Sequence, residues 1–400
     1  MSVTFLLGAG ISIPALPLSR ELDPLIRTGS ANDGRIIVRG SDSQYRIAAP
    51  DVWAPERWSP RVRRFLSWLV LWLDRDPTDY ESLYFACQQI HDDLSGEYEN
   101  PLLRPFIKEC EARVHEWKGD DPTDDFAGAR PASTKLLELT REAINYIAGA
   151  VAGALAHGPE VRGRLPQLHR PLLAACRDSA IKLVDVITLN HDMLLEESFR
   201  LESIRAEDGF GNAPDMEGVE RWVGYSMRRM ARQRLIKLHG SIDWWVIQHG
   251  DLRRLVRGIG YPFRKEDRFG QMWDTPDSQP RMLVGRTNKL LAYLEPFNID
   301  RLAVFRRSLM KSEGLLVAGY SFRDKGVNNL LIDWCWGRGR KYRVVVIDPR
   351  LEGDAPPSHA RDAAKRTWKR LAAKKRLWPV AKAFDAVRWQ EVRGFLLRRE

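Results

Sequence analysis

Two kinds of hydrophobic pattern alternate along the chain. Short apolar runs stop abruptly at glycine, asparagine or proline, and longer stretches carry apolar residues at helical spacing. Val3–Leu7 (VTFLL) runs straight into Gly8. IKLVDVITLN over 181–190 stops at Asn190, and RLIKLHGS over 234–241 stops at Gly240 and Ser241. GLLVAGYSF over 314–322 contains Gly319, and YRVVVIDP ends at Pro349. Apolar runs of this length, rich in β-branched residues, predict strands buried on both faces. Helical spacing over 300–312 and 327–336 lies among the later ones. Strand–helix alternation of this kind predicts an α/β fold, a Rossmann-like parallel sheet with helices on both faces.

The stretch 57–177 reads differently. Its segments 61–74, 80–94, 102–117, 134–156 and 168–177 all have helical spacing and no strand signal. They predict an inserted all-helical subdomain between a first part of the core, 1–56, and its remainder, 178–400. RIIVRGSDSQYRIA over 35–48 predicts a small hairpin ahead of that insertion. A second insertion, 243–299, is rich in Trp, Arg, Gly and Pro with weak periodicity, which predicts an irregular extension.

Composition narrows the class without naming a function. Of 400 residues, 44% are hydrophobic and 29% charged, which excludes a disordered chain. The four cysteines, Cys87, Cys110, Cys176 and Cys335, form no CxxC pair, which excludes a zinc ribbon or disulfide scaffold and fits a reducing, cytoplasmic setting. The first ten residues have no basic region before their apolar run, unlike a signal peptide. No apolar stretch approaches the ~20 residues of a bilayer span, so no membrane partner is expected. The net charge of +10 permits an anionic partner without requiring one. Eight of the sixteen residues 361–376 are Lys or Arg. They read either as a nucleic-acid or phosphate face or as the solvated side of a helix whose Ala363, Ala364, Trp368, Leu371 and Ala372 face the sheet.

Candidate chemistry collects where the predicted strands end. Gly8, Ala9, Gly10, Ile11 and Ser12 follow the first strand, where glycines let backbone N–H groups approach a phosphate. Alone, this GxG reads equally as a tight turn, since the third glycine of the dinucleotide fingerprint is missing. Three further strand ends carry polar residues: Asn190 with Asp192, His239 with Gly240, and Gly319 with Ser321. Ligands of open parallel sheets bind at this edge, so the four clusters predict one shared pocket. Plainer readings stand beside this one. Asn190 and Asp192 also suit capping of a helix starting near Met193, His239 suits a core position, Ser321 local backbone bonding, and Asp348-Pro349 an ordinary turn.

Taken together, these motifs resemble the sirtuin superfamily in order and spacing. Gly8-Ala9-Gly10-Ile11-Ser12 is similar to the family's GAGxS phosphate loop, and Ile13–Pro17 to the segment after it. Asn190 and Asp192 match its Asn-x-Asp, and His239-Gly240 its catalytic His-Gly. Gly319 and Ser321 match the G-x-S on the adenosine ribose side, and Asp348 stands where the last strand meets the adenine end. The resemblance leaves out 57–177 and 243–299. The two Cys pairs of the zinc-containing deacetylases are missing after His239, and Pro17-Leu18-Ser19-Arg20 replaces the family's PDFR. Those departures resemble the zinc-less branch found in bacterial antiphage defence, whose members include subunits paired with a HerA-type ATPase. Asp79-Tyr80-Glu81 is similar to an acidic-aromatic triplet of that branch.

The resemblance implies an NAD+ hydrolase that releases nicotinamide and ADP-ribose and depletes NAD+ as an abortive-infection effector. Asn190 and His239 would be catalytic. Gly8, Ala9, Gly10, Ser12, Asp192, Gly319, Ser321 and Asp348 would bind NAD+, with no metal. A homo-oligomer and a HerA-type ATPase partner are expected, with direct nucleic-acid binding the less favoured option. Two alternatives remain open: protein ADP-ribosylation or deacylation with the same residues, and a non-catalytic NAD, ADP-ribose or nucleic-acid binder.

Overall fold

The computed structural model describes residues 1–13, 15–16, 22, 36–39, 45–48, 60–73, 80–98, 100–116, 131–156, 159–225, 231–276, 279–284, 293, 295–337 and 343–398. Pro14, Pro17–Arg20 and Asp79 lie outside them. The strands, in chain order, are β1 Ser2–Leu7, β2 Ile36–Arg39, β3 Tyr45–Ala48, β4 Leu183–Thr188, β5 Phe210–Asn212, β6 Glu220–Trp222, β7 Gln233–Lys237, β8 Trp244–His249, β9 Leu252–Arg257, β10 Arg264–Glu266, β11 Met272–Asp274, β12 Gly314–Ala318, β13 Arg343–Ile347 and β14 Leu377–Val380.

Six of them form the core sheet in the order β14-β13-β12-β1-β4-β7, with every pair parallel. In chain order within the sheet this is 6-5-4-1-2-3, the doubly wound arrangement. The expectation of a Rossmann-like sheet is met, and its cause is visible in the alternation of side chains. Val3, Phe5 and Leu7 join Val184, Val186, Leu316 and Val345 on one face. That face is covered by helices Arg170–Arg177, Leu194–Leu201 and Trp389–Leu396 through Leu172, Phe199 and Trp389. Leu6, Ile187, Ile236, Leu315 and Val346 face the other way, beneath Phe305, Leu331 and Trp368 of helices Pro296–Lys311, Lys325–Trp336 and Asp362–Ala373. Strands covered on both sides carry apolar residues toward both faces, which is why the runs look nearly continuous.

The basic segment near the C-terminus is helix Asp362–Ala373, and Trp368 and Leu371 anchor it to the sheet. Ala363 is exposed, against the expectation that it faces inward. Ala363 sits in the first turn of the helix, ahead of the buried Thr367, Trp368 and Leu371 that hold it to the sheet.

The described part of 57–177 is helical: Pro60–Leu73, Tyr80–Ser95, Arg104–Glu116, Ala132–Leu155, Pro159–Arg162, Leu165–Leu168 and Arg170–Arg177. The longest of these, Ala132–Leu155, packs with its neighbours around a separate core that includes Phe65, Leu69, Leu83, Ile107, Leu139 and Ile147. Met193, Ile242 and Met282 of the sheet domain join that core. No helix of the described residues is long and apolar enough to cross a membrane.

Strands β8 to β11 lie within 243–299, where weak periodicity predicts an irregular extension. They pair with β5 and β6 in a second, antiparallel sheet of order β10-β11-β8-β9-β6-β5. Its three-residue strands are too short for a period to register in sequence. The paired tryptophans of β8 serve opposite faces. Trp245 enters the small sheet's core with Ile247, Val256 and Trp273, whereas Trp244 lies 4.6 Å from the Arg301 guanidinium on helix Pro296–Lys311. Arg301 is fully buried, and that burial lowers its pKa to about 10. The indole face compensates part of the desolvation.

The switch point of the core sheet lies between β1 and β12, and three glycines meet there. A Cβ on Gly8 would sit 2.6 Å from the Gly319 carbonyl oxygen, and one on Gly10 2.7 Å from the Gly319 Cα. Gly319 itself has φ +62°, and a Cβ there would fall 2.5 Å from the Ile11 nitrogen. The close approach is sealed by Gly8 N–H to Ala318 O at 3.0 Å and Gly10 N–H to Gly319 O at 3.1 Å. Gly319→Ala therefore adds backbone strain of ~1–3 kcal/mol to a clash with backbone atoms that cannot step aside. The expected outcome is a substantially lower midpoint in urea unfolding, with Gly394→Ala, which meets nothing within 4 Å, as the tolerated control.

Asp178 joins helix Arg170–Arg177 to the C-terminal helix, accepting from Arg393 Nε at 2.5 Å and Trp389 Nε1 at 2.9 Å. The Arg393 bond is the largest cause that lowers its pKa from 3.8 to about 2. A depressed carboxylate stabilises the fold fully above its unfolded pKa and loses that contribution as pH falls through its folded value. Asp178→Asn should thus be less stable than wild type at neutral pH. In unfolding curves the gap should close between about pH 4 and pH 2.

Candidate functional site at the switch point

The carboxyl ends of β1, β4, β7 and β12 converge on the glycine contact. After β1, the chain turns through a short 3-10 helix, Ala9–Ser12, that buries Ile11 and Ser12. Ser12 Oγ donates to Asp192 Oδ2 at 3.0 Å and accepts from Asn190 Nδ2 at 3.1 Å. The direction of these bonds is fixed by chemistry. An ionised carboxylate only accepts, so the single Ser12 hydrogen points to Asp192 and Asn190 must offer its NH2. Asn190 Oδ1 is thereby turned away from Ser12, and it has no hydrogen-bond partner although the residue is only 7% exposed. A buried carbonyl-type oxygen without a partner is costly, and such atoms mark places where a ligand or water supplies the missing bond.

The plainer capping reading applies to Asp192 in part, since its Oδ1 accepts from the Leu194 N–H at 3.1 Å. It does not apply to Asn190, whose own N–H donates back to Thr188 Oγ1 at 3.1 Å. The 190–193 turn is held from below by Lys237. This buried ammonium bonds the Asp192 carbonyl and Glu196 Oε1, the latter at 2.8 Å. Burial raises the Glu196 pKa, and Lys237 opposes the shift.

His239 follows β7. Its Nε2 lies 2.8 Å from Tyr293 Oη and 3.2 Å from Asp324 Oδ2. Tyr293 in turn donates to Asp324 Oδ2 at 3.2 Å. Burial first, and then the Asp324 charge, raise the Tyr293 pKa, so the phenol keeps its proton. With the Tyr293 hydrogen given to Asp324, the Nε2 side of the imidazole is the donor, and a neutral ring keeps Nδ1 as its basic nitrogen. Asp324 also starts helix Lys325–Trp336, its Oδ1 accepting from the Val327 N–H at 2.9 Å. Gly240 takes φ +80° because a Cβ would lie 2.1 Å from the Arg281 carbonyl oxygen. His239 O accepts from the Leu283 N–H at 2.7 Å and Arg281 O from the Ser241 N–H at 3.1 Å, so 281–283 runs alongside the histidine loop.

Not every expected residue joins this cluster. Gly8, Gly10 and Gly319 make the switch-point contact, Ala9 is exposed on its rim, and partly buried Ser321 lies in the turn between Tyr320 and Phe322. Asp348, at the end of β13, is committed to a local pair. Its Oδ1 accepts from the Arg350 N–H at 2.9 Å and Nε at 3.0 Å, and its Oδ2 from Nη2 at 2.8 Å. Tyr293 and Asp324 were not singled out from sequence. Asp324 two residues after a strand-end loop and just before a helix is a readable cap signal, whereas Tyr293 carries no local signal. His191 also lies beside this cluster, its ring centroid 6.1 Å from that of His239. The strand ends at Thr188, so its two-residue alternation no longer governs position 191. Among the described residues, no group of three or more His, Cys, Asp or Glu is placed to hold a metal ion.

The doubly wound sheet and its switch-point site define the class as an α/β protein with a dinucleotide-type crevice. More particularly, residues 184–370 match a family model described as a SIR2-like domain. That stretch includes Asn190, Asp192, His239, Gly319, Ser321 and Asp348 and omits Gly8–Ser12. No curated protein matches the chain. Among solved structures, the chain is similar to a Sir2 homologue bound to NAD, at 14% identity and TM-score 0.31, over 93% of this chain and 88% of that one. It is also similar to a mutant Sir2 homologue bound to ADP ribose, at 13% identity and TM-score 0.33, over 93% of each chain.

Asp324 has two separable roles, in the helix cap and against His239. Asp324→Ala should cost about 1 kcal/mol of stability by losing the cap, and Asp324→Asn should recover most of it. Urea unfolding of the two variants checks this order.

Proposed function

We propose that this chain is an NAD+ glycohydrolase, cleaving the nicotinamide–ribose bond with water to give nicotinamide, ADP-ribose and a proton. The observation that carries the reading is the unpartnered Asn190 Oδ1, fixed by Ser12 and Asp192 beside the β1–β12 switch point. The crevice suits a dinucleotide: backbone rather than side chains makes the glycine contact, and Asn190 keeps an open acceptor beside it.

Asn190 Oδ1 accepts a hydrogen bond from the attacking water or a ribose hydroxyl, fixing its direction at the anomeric carbon. His239 removes the proton, and Asp324 stabilises the imidazolium that results. Asp192 positions rather than reacts, since both its oxygens are engaged. Its negative charge still favours the positive charge that develops on the ribose in an oxocarbenium-like transition state.

The resemblance to the antiphage branch extends the proposal to an effector that lowers cellular NAD+ on infection, in the cytoplasm, as an oligomer with a HerA-type ATPase. The packing supports control from outside the site. Met193, next to Asp192, and Ile242, whose N–H bonds His191 O at 3.0 Å, belong to the core of the helical subdomain. A partner that shifts those helices thereby shifts the catalytic turns.

The test is NAD+ consumption by the chain alone and with such an ATPase, for wild type, Asn190→Ala, His239→Ala and Asp324→Asn. A loss of at least ~100-fold is expected for the first two variants. Absence of turnover by wild type under every pairing, or full activity of Asn190→Ala, would remove the basis of the reading.

A further inference from the structure

The order of the strands places the adenosine end of the crevice. His239 follows β7, two strands from β1 on one side, and Asp348 follows β13, two strands from β1 on the other. At about 4.8 Å per strand the two residues are separated by roughly 19 Å along the carboxyl edge. A dinucleotide held at the β1–β12 switch point with its nicotinamide at Asn190 and His239 must therefore put its adenosine ribose near the ends of β12 and β13.

In dinucleotide sites a carboxylate commonly accepts from the hydroxyls of an unmodified ribose, whereas an arginine accommodates a 2′-phosphate. Asp348 is the carboxylate in place, but three of its roughly four acceptor sites are already filled by Arg350. What faces outward is the Arg350 side chain, 64% exposed. The surroundings are cationic. Arg323 is exposed on the loop after β12. Arg361 clamps that loop, donating from Nε to Arg323 O at 2.6 Å and from its N–H to Phe322 O at 3.3 Å. His359 lies among these groups with a buried Nε2 that has no hydrogen-bond partner. After burial, the charges acting most strongly on His359 are Arg350 and Arg323, with Asp348 opposing them and Lys365 adding to them.

We propose that this end of the crevice is built for a phosphate on the adenosine 2′-oxygen, so that the preferred dinucleotide is of the NADP class. Arg350, Arg323 and Lys365 neutralise the dianion, and His359 Nε2 donates to one of its oxygens. Arginine suits the task because its planar fork bonds Asp348 along one edge and leaves the remaining donors for phosphate.

The inference rests on the dinucleotide reading, and a binding measurement separates the two. Isothermal titration of the full chain with 2′-phospho-ADP-ribose, ADP-ribose and adenosine 3′,5′-bisphosphate, at fixed ionic strength, needs no turnover. The expected result is at least ~10-fold tighter binding of 2′-phospho-ADP-ribose than of ADP-ribose. Arg350→Ala and Arg323→Ala should abolish that preference. Equal or tighter binding of ADP-ribose by wild type overturns the inference and leaves the NAD+ reading standing. Equal binding of the 3′-phosphate compound overturns the 2′-assignment, and no binding of any of the three removes both readings.

Discussion

Everything in this protein's candidate site depends on two backbones approaching more closely than side chains allow. Gly8 and Gly10 at the end of β1 and Gly319 at the end of β12 occupy the space that Cβ atoms would fill. Because β1 and β12 are neighbours that lead away in opposite directions, their ends open the crevice. The glycine contact sets its floor, and the amide-to-carbonyl bonds across it hold the floor rigid. The Ala9–Ser12 turn is fixed by the same contact, so Ser12 is delivered to Asn190 and Asp192 by backbone geometry rather than by its own packing.

Around that floor the polar groups are arranged in two supported pairs. Ser12 with Asp192 orients Asn190, and Tyr293 with Asp324 orients His239. Each supporting residue has a second structural duty, Asp192 at the helix from Leu194 and Asp324 at the helix from Lys325. Buried hydrogen-bonded groups are held most firmly when the elements carrying them are themselves rigid. Lys237 extends the principle downward: a buried ammonium below the 190–193 turn ties it to Glu196 one helical turn away.

What could be read from the sequence follows the physics of each element. Strands buried on both faces announce themselves as unbroken apolar runs, and the polar residues that end them are conspicuous by contrast. Asn190, His239 and the glycines were therefore legible. The antiparallel sheet of β5, β6 and β8 to β11 was not, since its shortest strands span three residues and Trp244 and Trp245 serve opposite faces. Tyr293 was invisible because its partners are brought to it only by the fold. Asp348 was seen, but its engagement by Arg350 was not: a turn acid and an arginine two residues on read the same whether or not they bond.

The sheet order has one more implication, for the chain during synthesis. β1 is far in sequence from its neighbours in the sheet, β4 and β12, which begin at Leu183 and Gly314. β1 has no sheet partner until β4 is made, and its other edge stays open until β12 follows. Ser12 cannot meet Asn190 until β4 has emerged, and Gly319 and Asp324 come only after β12. Chains rich in such distant contacts fold slowly and late. A nascent chain that stops short of β12 accordingly lacks one wall of the crevice, and Gly319 and Asp324 with it.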